Sequence, residues 1–163
     1  MNTPKRYHPL LVTLHWLTLI LLFGAGMLSE GGGRSPINIH MILGTLLLVV
    51  LVVRVIVRFT TKHPAWADTG NKMLNQFGGL VHLGLYLAAF YILAMGALIA
   101  YNRNLFAYVM GTGTAIGRAG FVGIFHQLGW VMVLGLTFLH VGAALYHQFI
   151  LKDNLLARMW YGK

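Results

Sequence analysis

Cysteine is absent from this chain, and acid nearly so: Glu30, Asp68 and Asp153 are its only acidic side chains. The first absence excludes disulfides, iron–sulfur clusters and covalent c-type haem attachment. The second leaves no paired carboxylates for hydrolytic acid–base chemistry, and the sequence contains no Walker loop or dinucleotide fingerprint either. Charge of any kind is scarce. Only 9% of residues are charged and 58% are hydrophobic, where a soluble domain carries about 25% charged residues; the deficit points to a bilayer. The formal net charge is nevertheless +9, a balance that raises nucleic-acid binding as a candidate. Here the basic residues flank apolar runs instead of forming a stripe, which argues against nucleic acid and for a membrane.

Four apolar runs are present, approximately Leu10 to Leu28, Ile37 to Phe59, Phe77 to Ala100 and Phe121 to Leu151. Each reaches the roughly 20 residues that a helix needs to cross a bilayer core. The first is expected to be a span and not a cleavable signal, because its apolar part is too long and contains His15 and Trp16. Loops at Ser29 to Pro36, Thr60 to Gln76 and Tyr101 to Gly120 separate the runs, without repeat or heptad. The expected architecture is an all-α integral membrane protein, a single four-helix bundle over residues 1–163. Lys and Arg set its orientation. With the N-terminus inside, Lys5, Arg6, Arg54, Arg58, Lys62, Lys72, Lys152, Arg158 and Lys163 fall on the inner side, and only Arg34, Arg103 and Arg118 on the outer. Both termini are therefore expected in the cytoplasm. Trp16, Trp66, Trp130 and Trp160 lie near or beyond span ends, where interfacial anchors are found.

Histidine is what this chain has instead of acid and cysteine. Ionisable groups inside a membrane are costly and tend to be functional. By position in each span, His40 and His126 form an outer layer, and His15, His82, His140 and His147 an inner one. His126 and His140 are 14 residues apart on the last run. At about 100° per residue they share one face within about 40°, separated by about 21 Å. That suits two metal sites stacked across a core of roughly 30 Å. Neutral imidazole is a natural iron ligand, and facing helices of a bundle can present such ligands to an internal cofactor. Without cysteine or acid to assist, haem iron is the metal that this pattern points to. The outer layer holds only His40 and His126, which should share the outer haem. The inner layer offers four candidates for two places, of which His140 is favoured by the 14-residue spacing. Gly44, Gly129, Gly135 and Gly142 near these histidines give either room for a flat macrocycle or close helix packing. His8 and His63 read as surface histidines. Arg54 and Arg58 either snorkel to the inner interface or pair with an inner-haem propionate.

The segments Leu14-His15-Trp16, Ile37-Asn38-Ile39-His40, Val52-Val53-Arg54 with Arg58, His82 with Tyr86, Tyr101-Asn102-Arg103, and Leu139-His140 through His147 to Lys152-Asp153-Asn154 carry a resemblance. The chain resembles the bacterial di-haem cytochrome b561 family, most nearly its superoxide oxidase branch. The resemblance covers nearly the whole chain and is weakest in the Ser29 to Pro36 and Thr60 to Gln76 loops. It implies an inner-membrane four-helix bundle holding two b-type haems, an enzyme that oxidises periplasmic superoxide to oxygen and reduces ubiquinone. It implies His15 as the partner of His140 at the inner haem, with His82 and His147 at the quinone site. Arg103 and Arg118, together with Arg34, then guide superoxide by their charge, or else satisfy propionates or loop structure. Related members imply the alternative of a cytochrome b anchor subunit linking a separate dehydrogenase or hydrogenase to the quinone pool; a non-redox haem-binding role is the third class.

Overall fold

The computed structural model describes residues 4–28 and 34–161. Ser29 to Gly33, with Glu30 and the glycine run, and Lys163 lie outside the described residues. Helices α1 (Pro9–Met27), α2 (Arg34–Thr60), α3 (Lys72–Asn102) and α5 (Gly120–Tyr146) are long, and α4 (Leu105–Val109) is a single short turn between α3 and α5. All four long helices are long and apolar enough to cross a membrane. Among the described residues there is no strand.

Local chemistry sets the boundaries. α1 starts with Pro9 in its first turn, where a missing N–H costs nothing, and His8 Nδ1 accepts from Leu10 N at 3.3 Å. α3 starts at Asn71, whose side chain accepts from the amides of Met73 and Leu74. Just before it, Asp68 accepts from Asn75 Nδ2 and Gly70 N. Those two donors hold its carboxyl below the ordinary carboxylate range. α5 does not stop cleanly: it runs into a π-turn, His147–Leu151, then a 3₁₀ turn, Leu155–Met159.

The helices alternate in direction, so both chain ends lie at one end of the bundle. Tyr7 N donates to Arg158 O at 3.1 Å, Trp16 Nε1 to Met159 O at 3.1 Å, and Arg158 Nη1 to Ala65 O at 2.8 Å. α4 packs against α2 at the far end, where the Arg34 guanidinium lies 5.1 Å over the Tyr108 ring. α1 packs along α2, and α3 along α5. The two pairs meet in a central apolar cluster that includes Leu21 of α1, Leu47 and Leu51 of α2, Ala88 and Ile92 of α3, and Val133 of α5. Outside it, large apolar side chains are exposed along every long helix, Ile20, Val49, Leu87 and Phe138 among them. Lipid takes the place of water as the solvent of that surface.

The central cluster falls midway between the histidine layers. Leu47 lies seven residues after His40 and seven before Arg54; Val133 lies seven after His126 and seven before His140. Seven residues are almost two helical turns, so each helix presents a polar residue, an apolar one and a polar one down a single face. Trp130 differs from its expected interfacial place. It sits inside the bundle, its ring 6.0 Å from that of Phe23 and against Gly26, where a Cβ would meet the indole at 2.4 Å. The glycine allows the ring in.

Candidate functional site

The far-end layer is built from α2 and α5. The rings of His40 and His126 face one another with centroids 5.9 Å apart and planes at 80°. Each ring is held from behind. His40 Nδ1 lies 2.9 Å from Ala25 O, a carbonyl in the last turn of α1. His126 Nδ1 lies 2.9 Å from Ile92 O of α3. A carbonyl can only accept, so Nδ1 carries the proton in both rings and Nε2 keeps its lone pair. Metal-binding histidines are oriented in this way, through the nitrogen that does not bind metal.

The layer near the chain ends draws on three helices. His15 and His140 have centroids 6.1 Å apart, while His82 and His140 are at 4.8 Å. His82 Nδ1 is bonded to Gly78 O, one turn back, at 2.8 Å. His15 Nδ1 is instead 2.8 Å from Nη2 of Arg54. Since guanidinium has no acceptor, His15 Nδ1 accepts, and in the neutral ring the proton sits on Nε2. The structure thus brings His15, His82 and His140 together and leaves His147 two turns further along. His147 is buried, its Nδ1 2.6 Å from Asp153 Oδ2.

A metal bonded at about 2.0–2.1 Å to two imidazoles, one on each side, sets their centroids roughly 6 Å apart. His40–His126 and His15–His140 meet that spacing; His82–His140 is too close. Among the described residues no group of three or more His, Cys, Asp or Glu forms a metal cluster. Facing pairs suit a metal whose other ligands come from a macrocycle; a b-type haem fits the far layer as it stands, and the near layer once the His15 ring proton moves from Nε2 to Nδ1. Arg54 adds to the fit. It turns inward, its guanidinium 5.3 Å over the Tyr86 ring, and its Nε is buried without a partner. No carboxylate answers it, because the His147–Asp153 contact is the one ion pair among the described residues. Arg58 differs, its guanidinium lying 5.7 Å from the Trp66 ring.

Not every glycine named from sequence borders these layers. Gly129 is packed tightly against Tyr91 and Ile92, Gly44 touches only Leu93, and Gly135 and Gly142 face open space on the exposed side of α5. The glycine that matters to the far layer is Gly96 of α3, where a Cβ would lie 3.1 Å from His126 Cε1. Sequence reasoning missed it because its partner is on another helix; the only available signal was one more small residue in an apolar run. At the far end, Arg103 Nε donates to Gly117 O at 3.2 Å, and Arg118 is exposed with no hydrogen bond or ion pair to the described residues.

Comparison with known proteins agrees with this geometry. Residues 6–162 match the family of prokaryotic cytochrome b561. Cytochrome b561 homolog 2 of Escherichia coli is 31% identical, over 97% of this chain and 93% of the relative. The probable superoxide oxidase CybB of Yersinia pestis is 29% identical, over 95% and 96%, and cytochrome b562 of Cereibacter sphaeroides 29%, over 98% and 98%. No solved structure matches. With four apolar helices and facing histidines inside them, this chain belongs to the prokaryotic cytochrome b561 family of haem-containing membrane electron-transfer proteins.

Proposed function

We propose that this protein is a superoxide oxidase: it carries two b-type haems and passes electrons from superoxide at the far end to ubiquinone at the end that holds both termini. The observation that carries the reading is the pair of facing histidine couples, 5.9 and 6.1 Å between centroids, separated along α5 by about 21 Å. The nine basic residues assigned to the termini end, against three at the other, set the orientation. The protein lies in a bacterial inner membrane with its termini in the cytoplasm.

Bound haem supplies one-electron carriage. The chain supplies the rest. His40 and His126 would hold the outer haem through Nε2, their Nδ1 protons fixed on Ala25 O and Ile92 O. His15 and His140 hold the inner iron. For His15 this requires its ring proton to pass from Nε2 to Nδ1, which Arg54 must then release. The central cluster of Leu47, Leu51 and Val133, each nearly fully buried, keeps water out between the layers. Arg118 and Arg103 concentrate a small anion at the far end, where steering by positive charge raises encounter rates. His82 and His147 face the quinone at the near end.

The test is anaerobic. Purified protein is titrated with superoxide while its haem absorbance is followed, and ubiquinone is then added. Reduction followed by reoxidation, at two haems per chain by pyridine haemochrome, is the expected result. A single haem per chain removes the two-layer reading. The exposed apolar side chains of Met110, Ile116 and Phe121 around α4 favour a second reading, a docking face for a separate dehydrogenase or hydrogenase. Protein that ignores superoxide but is reduced by such a partner supports that one.

A further inference from the structure

The end of α5 is built around a single contact. A continued α-helix would carry Asp153 away from His147, six residues back. Instead the π-turn over His147–Leu151 widens the helix. Lys152 and Asn154 then take left-handed backbone angles, φ 56° and 59°, a conformation that non-glycine residues enter at some cost. The chain doubles back, Asp153 N donates to His147 O at 3.3 Å, and the carboxylate comes to rest on the imidazole. Both its oxygens are engaged: Oδ2 with His147 Nδ1 at 2.6 Å, Oδ1 with Leu155 N at 3.1 Å. His147 is only 6% exposed, and π-turns and strained residues together recur at functional sites.

We propose that Asp153 is a positioning residue that holds His147 with Nε2 free to hand a proton to the reduced quinone. The inference rests on the proposed quinone site at this end. A carboxylate on Nδ1 fixes one ring proton there and sets the ring's orientation, leaving Nε2 as the atom that passes a proton on; the same division of labour orients the histidine of a serine-protease triad. Ubiquinone gains two electrons, from two superoxide ions that leave as oxygen, and two protons. Each proton leaves Nε2 of His147 and forms an O–H bond at a quinone oxygen, and the ring is reprotonated from water at the chain-termini end. The charged and titratable neighbours are few. Tyr146 lies edge-on at 6.4 Å, Lys152 is exposed, and Arg158 of the following turn is engaged with Ala65 O.

Asp153→Asn tests this. Leu155 N occupies Oδ1, so the amide NH₂ faces His147 Nδ1, which must then accept. The ring proton moves to Nε2, and Nδ1 no longer has an acceptor to hold a proton there. Expected are unchanged haem content, unchanged reduction by superoxide, reoxidation by ubiquinone slowed about tenfold or more, and an altered pH profile of reoxidation. Asp153→Glu, which restores a carboxylate, should recover part of the rate and return the profile. Reoxidation of Asp153→Asn at the wild-type rate and pH profile overturns the proposal. So does slow reoxidation in both variants with an unmoved profile, which marks a structural role only. If Asp153→Asn loses haem, His147→Gln replaces it: normal reoxidation there has the same meaning. Failure of the wild type to reoxidise with ubiquinone instead overturns the quinone reading beneath it.

Discussion

Gly96 offers the sharpest test of how the far histidine layer is held. Gly96→Ala places a Cβ 3.1 Å from His126 Cε1 and 3.5 Å from Nδ1. Carbon atoms pack best at about 3.5–4.0 Å, so the ring must give by a few tenths of an ångström. Its hydrogen bond to Ile92 O, 2.9 Å long, then stretches past the about 3.2 Å limit of a good N–H···O contact. The loss is about 0.5–1.5 kcal/mol, or roughly two- to thirteenfold in retention of the outer haem. Gly96→Val, with two more carbons at the same place, should lose that haem altogether.

Helix propensity works in the opposite direction. Alanine is favoured over glycine in a helix by about 1 kcal/mol, so haem-free Gly96→Ala should be at least as heat-resistant as haem-free wild type. A variant that melts higher yet holds its outer haem less tightly can be explained only through His126. Pyridine haemochrome stoichiometry, a two-component redox titration and thermal melts by circular dichroism measure the three quantities. Gly79→Ala, on the same helix with nothing within 4 Å of the new Cβ, is the control and should change no haem property. Full haem occupancy with unaltered potentials in Gly96→Val would refute the claim that His126 is held against the α3 backbone as an axial ligand.

The other predictions address the rest of the pathway. His40→Ala or His126→Ala should remove one component of the redox titration, and His15→Ala or His140→Ala the other. A haem lost in His82→Ala but kept in His15→Ala would reassign the inner pair. Arg118→Gln should slow reduction by superoxide several-fold with haem content unchanged, and raising ionic strength from 0.01 to 0.15 M should slow the wild type, since the screening length falls from about 30 to about 8 Å; rates indifferent to both would remove electrostatic guidance. Arg54→Leu should weaken inner-haem retention while Arg54→Lys keeps part of it, as measured by haem content after mild chaotrope; equal retention in both would leave the buried guanidinium unexplained.

What could be read from sequence was what repeats along one helix. The four spans, the 14-residue step from His126 to His140 and the sorting of basic residues to one end depend on period and position alone. The far pair followed because its layer held no third histidine. The near layer could not be resolved this way, since choosing among His15, His82 and His140 depends on the rotation of α1 and α3 about their axes, which the pattern of apolar residues does not fix when lipid surrounds the bundle. Lipid-facing and core-facing positions are then both apolar, and the amphipathic signal that orients a soluble helix is lost. Gly96 and the inward place of Trp130 were hidden for the same reason: each is defined by a neighbour on another helix.

Arg54 shows how the two kinds of information combine. Its 14-residue distance from His40 repeats on α2 the spacing of His126 and His140 on α5, so sequence alone places it level with the near histidines. It does not say whether the side chain reaches back to water, as a long cation can, or stays. Here it stays, with one nitrogen on His15 and another unpaired. A buried cation without a carboxylate is costly in a membrane, and the chain has almost no acid to offer it. The scarcity of acid therefore has a structural consequence: no carboxylate among the described residues neutralises Arg54, and a propionate of a haem bound at the near layer would supply one. Haem binding then completes the electrostatics of the bundle as well as its redox chemistry, and protein prepared without haem should be markedly less stable to heat in detergent than the loaded form, with Arg54→Leu narrowing the gap.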